Sequence, residues 1–183
     1  MLKFITGNKG KFREISSVLQ PLKIQQLEVD LDELQELDSY KIIRHKLQQA
    51  FKHQDGGFFV DDTSVYYKVL RNKLPGPFMK WFLQVLGTKG LFEITKKLGG
   101  TEAEMKTIIG YAKNRKQIYF FEGKTLGNIV KPKGLGGFGV DKIFKPQGSN
   151  KTLAELKTPG SSKFSPRFKA ATKLKKYLLK SKL

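Results

Sequence analysis

Apolar and polar positions along this chain follow two periods, one of strands and one of helices. Leu2–Ile5 is a short apolar run that reads as a buried strand. Lys11–Leu19 then sets Phe12, Ile15 and Leu19 on one helix face, and Pro21 ends that helix. Ile24–Val29 predicts a second strand. Asp38 or Ser39 caps a helix whose inward positions are Ile42, Ile43, Leu47, Ala50 and Phe51. Asp55-Gly56-Gly57 is a turn, and Phe58-Phe59-Val60 a strand expected to stop at Asp61-Asp62. Leu74-Pro75-Gly76-Pro77 is a rigid loop that feeds a helix over Phe78–Leu86, and a separate helix covers Leu91–Leu98.

Met105–Ala112, Gln117–Phe121 and Thr125–Val130 are predicted strands, the last two joined by a hairpin turn at Glu122-Gly123-Lys124. Lys151–Leu156 reads as a short helix. Ser165–Leu179 reads as a longer one, with Ala170, Leu174, Tyr177 and Leu178 inward. Strands and helices partly alternate and partly form hairpins, so the expected class is α/β with a mixed, partly antiparallel sheet. No repeat or long linker divides the chain, and residues 1–183 read as a single domain.

Composition narrows the picture. A chain of 183 residues with 14 phenylalanines can bury a proper core, roughly 70% of its unfolded surface. The absence of cysteine excludes disulfides and thiolate metal sites and suits a reducing, cytoplasmic setting. No window reaches the ~18 apolar residues of a membrane-spanning helix, and no membrane partner is expected. The net charge of +19 suits an anionic partner such as nucleic acid or a phosphorylated small molecule. It is unevenly spread: residues 28–38 are rich in acids, whereas every charged residue after Glu155 is basic. Both patterns read first as solvated surface.

Against that background a few stretches carry chemistry. In FITGNKGKF (4–12) a strand runs into Thr6, Gly7 and Asn8 at a helix N-terminus, with Lys11 one turn on. Free amides, a positive dipole end and a mobile lysine suit a phosphate, while the plainer reading is an asparagine-capped turn. The spacing is not that of a Walker loop. Asp61-Asp62 closes a buried strand, the usual place for ligand-facing carboxylates, and adjacent strand residues point to opposite sides. A hard divalent cation takes one or two such carboxylates with phosphate and water. Lys80 lies within one turn of the LPGP loop and could reach an anion. Phe138 stands among glycines in GLGGFGVDKIF (134–144), as a ring displayed for stacking or as a core residue. In SPRFKA (165–170) Ser165 suits an N-cap and Pro166 the first helical position. Arg167 then falls in the first turn, where a cation gains nothing from the dipole. His45 and His53 show no metal spacing.

Taken in order, TGNKGK (6–11), VDLDELQ (29–35), VDDTS (60–64), LPGPFMKWF (74–82), GGFGVDKIF (136–144), KTLAEL (151–156) and SPRFKA (165–170) resemble the inosine triphosphate pyrophosphatase family over nearly the whole chain. The resemblance implies an elongated, two-lobed mixed sheet with flanking helices and a central cleft, usually in a homodimer. It implies Mg²⁺-dependent hydrolysis of deaminated purine nucleotides (ITP, dITP, XTP) to the nucleoside monophosphate and pyrophosphate. Carried onto this chain, Thr6, Asn8 and Lys11 would hold the triphosphate, with Lys46 and Lys80 near the phosphates. Glu33 and Asp62 would hold the metal, Asp62 would also activate the attacking water, and Lys46 would join Asp62 as a catalytic residue. Phe138 would stack on the base, with Asp141, Ser165 and Arg167 completing its pocket.

The chain departs from the family pattern in places. Pro166 stands where the family has histidine, and Ser161 where it usually has lysine, for which Lys157 or Lys163 could substitute. Val140 and Lys142 replace an aromatic and a proline, and Asp61 a glutamate. These changes bear on base choice, so a relative with relaxed specificity is one alternative. A basic nucleic-acid-binding module is another, against which the retained carboxylates weigh.

Overall fold

The computed structural model describes residues 1–137, 139–156 and 163–180; Phe138, Lys157 and Ser161, singled out above, lie outside them. The order is β1 (Leu2–Ile5), α1 (Lys9–Leu19), β2 (Ile24–Leu27), α2 (Ser39–Ala50), β3 (Phe58–Tyr67), β4 (Pro75–Gly76), α3 (Met79–Lys97), β5 (Glu102–Asn114), β6 (Gln117–Ile129), β7 (Phe144–Pro146) and α4 (Pro166–Lys180). The strands form one mixed sheet ordered β2-β1-β3-β5-β6-β7, with β4 also on β3. β1 pairs in parallel with β2 and β3, and the remaining pairings are antiparallel.

The alternation of β3 sorts the helices. Phe58 and Val60 face Ile43, Leu47 and Ala50 of α2. Phe59 faces the opposite side with Ile15 and Leu19 of α1 and Ala170 and Leu174 of α4. Farther along that side Val65 and Tyr67 pack on Met79 and Leu91 of α3. The helix starts have clear local causes. The Asn8 side chain accepts from the Gly10 and Lys11 amides at 2.9 and 3.0 Å, and Asp38 accepts from Tyr40 at 2.9 Å.

Several expectations change. β3 does not stop at Asp61-Asp62 but runs on to Tyr67. What stops is its neighbour: β1 pairs only with Phe58 and Phe59, and β4 only with Val65 and Tyr66. Among the described residues no strand covers that edge of β3 between these pairings, so the two aspartates sit at a gap in the sheet rather than at a strand end. The two helices expected over 78–86 and 91–98 are both present: Gly87, at φ 61, ψ −179, breaks α3 into two helical segments.

The hairpin expected at Glu122-Gly123-Lys124 is absent, because β6 passes straight through it. A Cβ on Gly123 would overlap the Pro166 carbonyl oxygen and come within 2.7 Å of the Ala170 nitrogen. Glycine is there so that α4 can lie close on the strand. The helix expected over 151–156 is a single turn, closed by the Thr152 amide donating to Glu155 and the Glu155 amide donating to Thr152 Oγ1.

Candidate active site

The gap beside β3 opens into a cavity of about 950 Å³. Its walls come from the α1 entry turn (Thr6, Gly7, Asn8, Lys11), the acidic segment (Glu28, Asp30, Glu33), α2 (Lys46), mid-β3 (Asp61, Asp62), α3 (Lys80) and α4 (Ser165, Arg167). Asp141 lines it as well. The structure therefore brings together Thr6, Asn8, Lys11, Glu33, Lys46, Asp62, Lys80, Asp141, Ser165 and Arg167, whereas Lys163 does not line the cavity. The acidic stretch, read above as solvated surface, is indeed exposed, yet three of its acids border the cavity.

Successive residues of β3 send Asp61 and Asp62 to opposite sheet faces. On the α2 side Asp62 Oδ1 lies 3.4 Å from Lys46 Nζ, and its Oδ2 accepts from the Ser64 hydroxyl at 3.3 Å. At the rim Lys80 and Glu33 form an exposed pair at 3.4 Å. At the α1 turn the Asn8 amide donates to Thr6 Oγ1 at 3.1 Å, and the Asn8 cap occupies two of the helix-end amides. Thr6, Gly7, Asn8 and Lys11 all line the cavity.

On the other face of β3 lies a buried ionic knot. Arg167 donates through Nε to Asp61 at 3.1 Å, through one terminal nitrogen to Glu14 at 2.6 Å and through the other to Thr63 at 3.0 Å. Lys11 meets the second oxygen of Asp61 at 3.1 Å, and Ser165 donates to Glu14 at 2.7 Å. The side chains of Asp61, Glu14 and Arg167 are 2%, 4% and 11% exposed, so these two anions and one cation are desolvated, and the half-buried Lys11 completes the set. Burial pushes the Asp61 carboxyl up, but Lys11 and Arg167 outweigh it and hold the group below the ordinary carboxylate value. Burial disfavours the Arg167 charge, and Asp61 and Glu14 more than restore it. Ser165 accepts from the Phe168 amide at 3.2 Å, the capping role expected of it.

Glu14 and Thr63 were missed by the sequence reading. Glu14 had a signal: it falls one turn after Lys11, on the inward side of an amphipathic helix, where an acid needs a partner. Asp61 joins α1 to α4 through Lys11 and Arg167, a role its sequence position does not announce.

This combination defines a class: a mixed α/β fold whose cleft sets lysines, a helix N-terminus and carboxylates around one cavity, as a handler of polyanionic substrates requires. The comparisons with known proteins are more specific. Residues 2–177 match the model of the Ham1 family, and the chain belongs to that family. It is 37% identical to the inosine triphosphate pyrophosphatase of Kluyveromyces lactis, covering 96% of this chain and 94% of that one. It is 36% identical to that of Schizosaccharomyces pombe, over 96% and 93%. Among solved structures, a HAM1 protein from Coxiella burnetii superposes with a TM-score of 0.82 at 22% identity, over 98% of this chain and all of that one, which shows the shared fold.

Proposed function

We propose that this chain is a Mg²⁺-dependent nucleoside triphosphate pyrophosphohydrolase. It cleaves deaminated purine nucleotides (ITP, dITP and XTP) to the monophosphate and pyrophosphate. Its relatives bear the name inosine triphosphate pyrophosphatase. The observation that carries the reading is that the α1 entry turn, the Lys46–Asp62 pair and the Lys80–Glu33 pair all open on one cavity. At about 950 Å³ its size suits a nucleotide.

Among the described residues no cluster of three or more acidic, histidine or cysteine side chains forms a ready-made metal cage. Glu33 and Asp62 nevertheless face the same cavity, and two carboxylates completed by phosphate and water oxygens form a donor set that Mg²⁺ accepts. When bound there, Mg²⁺ would offset phosphate charge and acidify a coordinated water. Thr6, Asn8 and Lys11 receive the triphosphate, and Lys46 and Lys80 offset the charge that grows on the leaving pyrophosphate. Asp62 accepts the proton of the attacking water, held in place by Lys46 and Ser64.

Phe138 stacks on the base, and Asp141, Ser165 and Arg167 shape the pocket around it. Three of the five N–H groups of Arg167 are engaged by Asp61, Glu14 and Thr63, which leaves it rigid with donors still available. A donor matches the 6-carbonyl of hypoxanthine or xanthine and leaves adenine's amino group facing another donor.

Assays of pyrophosphate release from ITP, XTP, dITP and the four common triphosphates with Mg²⁺ test the reading; no release from any of them rejects it. A homodimer belongs to the same proposal and is read by light scattering. Pro166 is buried and lines the cavity without an N–H, which favours relaxed base choice as a second reading. Pro166→His should then raise the preference for ITP, and an unchanged ratio rejects a role for this position.

A further inference from the structure

Behind Asp62 the structure holds a line of buried hydroxyls. Ser64, two residues on along β3, donates to Asp62 Oδ2 at 3.3 Å. Ser64 Oγ lies 3.2 Å from Ser39 Oγ, and Ser39 Oγ lies 2.7 Å from the Tyr66 hydroxyl. Ser39, Ser64 and Tyr66 are 4%, 1% and 7% exposed. Asp62, Ser64 and Tyr66 share the α2-facing side of β3 by strand alternation, and Ser39 opens α2.

Each hydroxyl has one proton, and an ionised carboxylate only accepts. If Ser64 donates to Asp62, it must accept from Ser39, and Ser39 must in turn accept from Tyr66. The line therefore has a single direction, from Tyr66 through Ser39 and Ser64 to Asp62. Each link polarises the next in a poorly hydrated interior. The same helix supplies Lys46 on Oδ1. Ser39 and Lys46 lie two turns apart on α2, so one helix fixes both oxygens of the carboxylate. Tyr66 anchors the far end: the Lys106 ammonium lies 4.7 Å above its ring, and both line a separate depression that contains none of the residues assigned above to catalysis or substrate binding.

We propose that Tyr66, Ser39 and Ser64 are positioning residues that orient the Asp62 carboxylate for catalysis through this directed hydroxyl chain. The proposal rests on the role given to Asp62 above. Groups that orient a reacting or metal-binding carboxylate change activity by about 10–100-fold when removed. Ser39 and Tyr66 touch neither the substrate cavity nor Asp62, so their removal isolates the orienting effect.

Ser39→Ala, Tyr66→Phe and the double variant are compared with wild type for kcat and KM on ITP and for thermal unfolding. Ser39→Ala should lower kcat about ten-fold with KM nearly unchanged, and Ser39→Thr should restore it. Tyr66→Phe should lower kcat by less. The double variant should match Ser39→Ala, because that change already disconnects Tyr66. Wild-type kcat in Ser39→Ala, a loss confined to KM, or additive losses in the double variant overturn the proposal.

A readout independent of turnover separates its failure from that of the pyrophosphatase reading. The Tyr66 hydroxyl proton should be visible by NMR as a slowly exchanging signal and should vanish in Ser39→Ala. Exchange at the solvent rate in wild type overturns the chain whatever the enzyme's substrate.

Discussion

Replacing Asp61 by asparagine tests the ionic knot most directly. The carboxylate presents one oxygen to Lys11 and the other to Arg167, both at 3.1 Å, with a side chain 2% exposed. Asparagine keeps one acceptor and turns an amino group toward the second cation. Breaking a buried pair by removing one partner costs about 3–5 kcal/mol, because the remaining charge stays desolvated. The low end applies here. Arg167 keeps Glu14 and Thr63, and Lys11, at 24% exposed, can swing toward the cavity. A loss of about 3 kcal/mol is a large part of a typical total of 5–15. For a chain of this size it lowers the melting midpoint by roughly 6–12 °C.

Scanning calorimetry or urea titration at neutral pH reads this, with Asp61→Glu as the control that restores the charge. A midpoint within about 2 °C of wild type, or a larger loss in the glutamate than in the asparagine variant, would refute the reasoning.

Four further outcomes follow from the same geometry. Since the Asp61 carboxyl is held below its ordinary value of ~3.9, its contribution should be full above that pH and lost as pH falls through the lowered value. The stability gap between wild type and Asp61→Asn should therefore be flat from pH 5 to 8, as about 3.9 is left behind, and shrink below pH 4; a gap that persists in strong acid contradicts this. Asp62→Asn should lower kcat by about 10²–10⁴-fold while the circular dichroism spectrum and melting midpoint stay near wild type, and full turnover removes Asp62 from the mechanism. Gly123→Ala should cost about 3 kcal/mol by lifting α4 from β6, and a neutral melt would show that the close approach is not required. Lys80→Ala should raise KM yet change stability by under about 1 kcal/mol, because both side chains of its pair are about 60% exposed; a stability loss beyond that would show the pair to be structural.

How much could be read from the chain alone depended on where the decisive contact lies. β1, α1, α2 and α4 are set by local signals: apolar spacing, Asn8, Asp38, Ser165 and the proline behind it. The residues at the cavity were found because lysines and carboxylates recur in short stretches with family-like spacing. The misplaced features around β3, β6 and Glu14 depend on distant partners. Asp61 and Asp62 looked like the end of a strand because two acids rarely sit in mid-strand; Lys11, Arg167 and Lys46, from three other elements, make that placement tolerable. Gly123 looked like a turn because its real neighbour is a helix more than forty positions later. Glu14 is buried only because Ser165 and Arg167 arrive from the far end of the chain.

The uncovered edge of β3 also bears on how such a cleft would respond to mutagenesis. Along that stretch residues 60–63 border the cavity, and an alanine substitution deletes no peptide N–H or C=O. An alanine scan would under-report what the backbone contributes to holding a ligand there. Swapping a single amide for an ester by chemical synthesis would reach it.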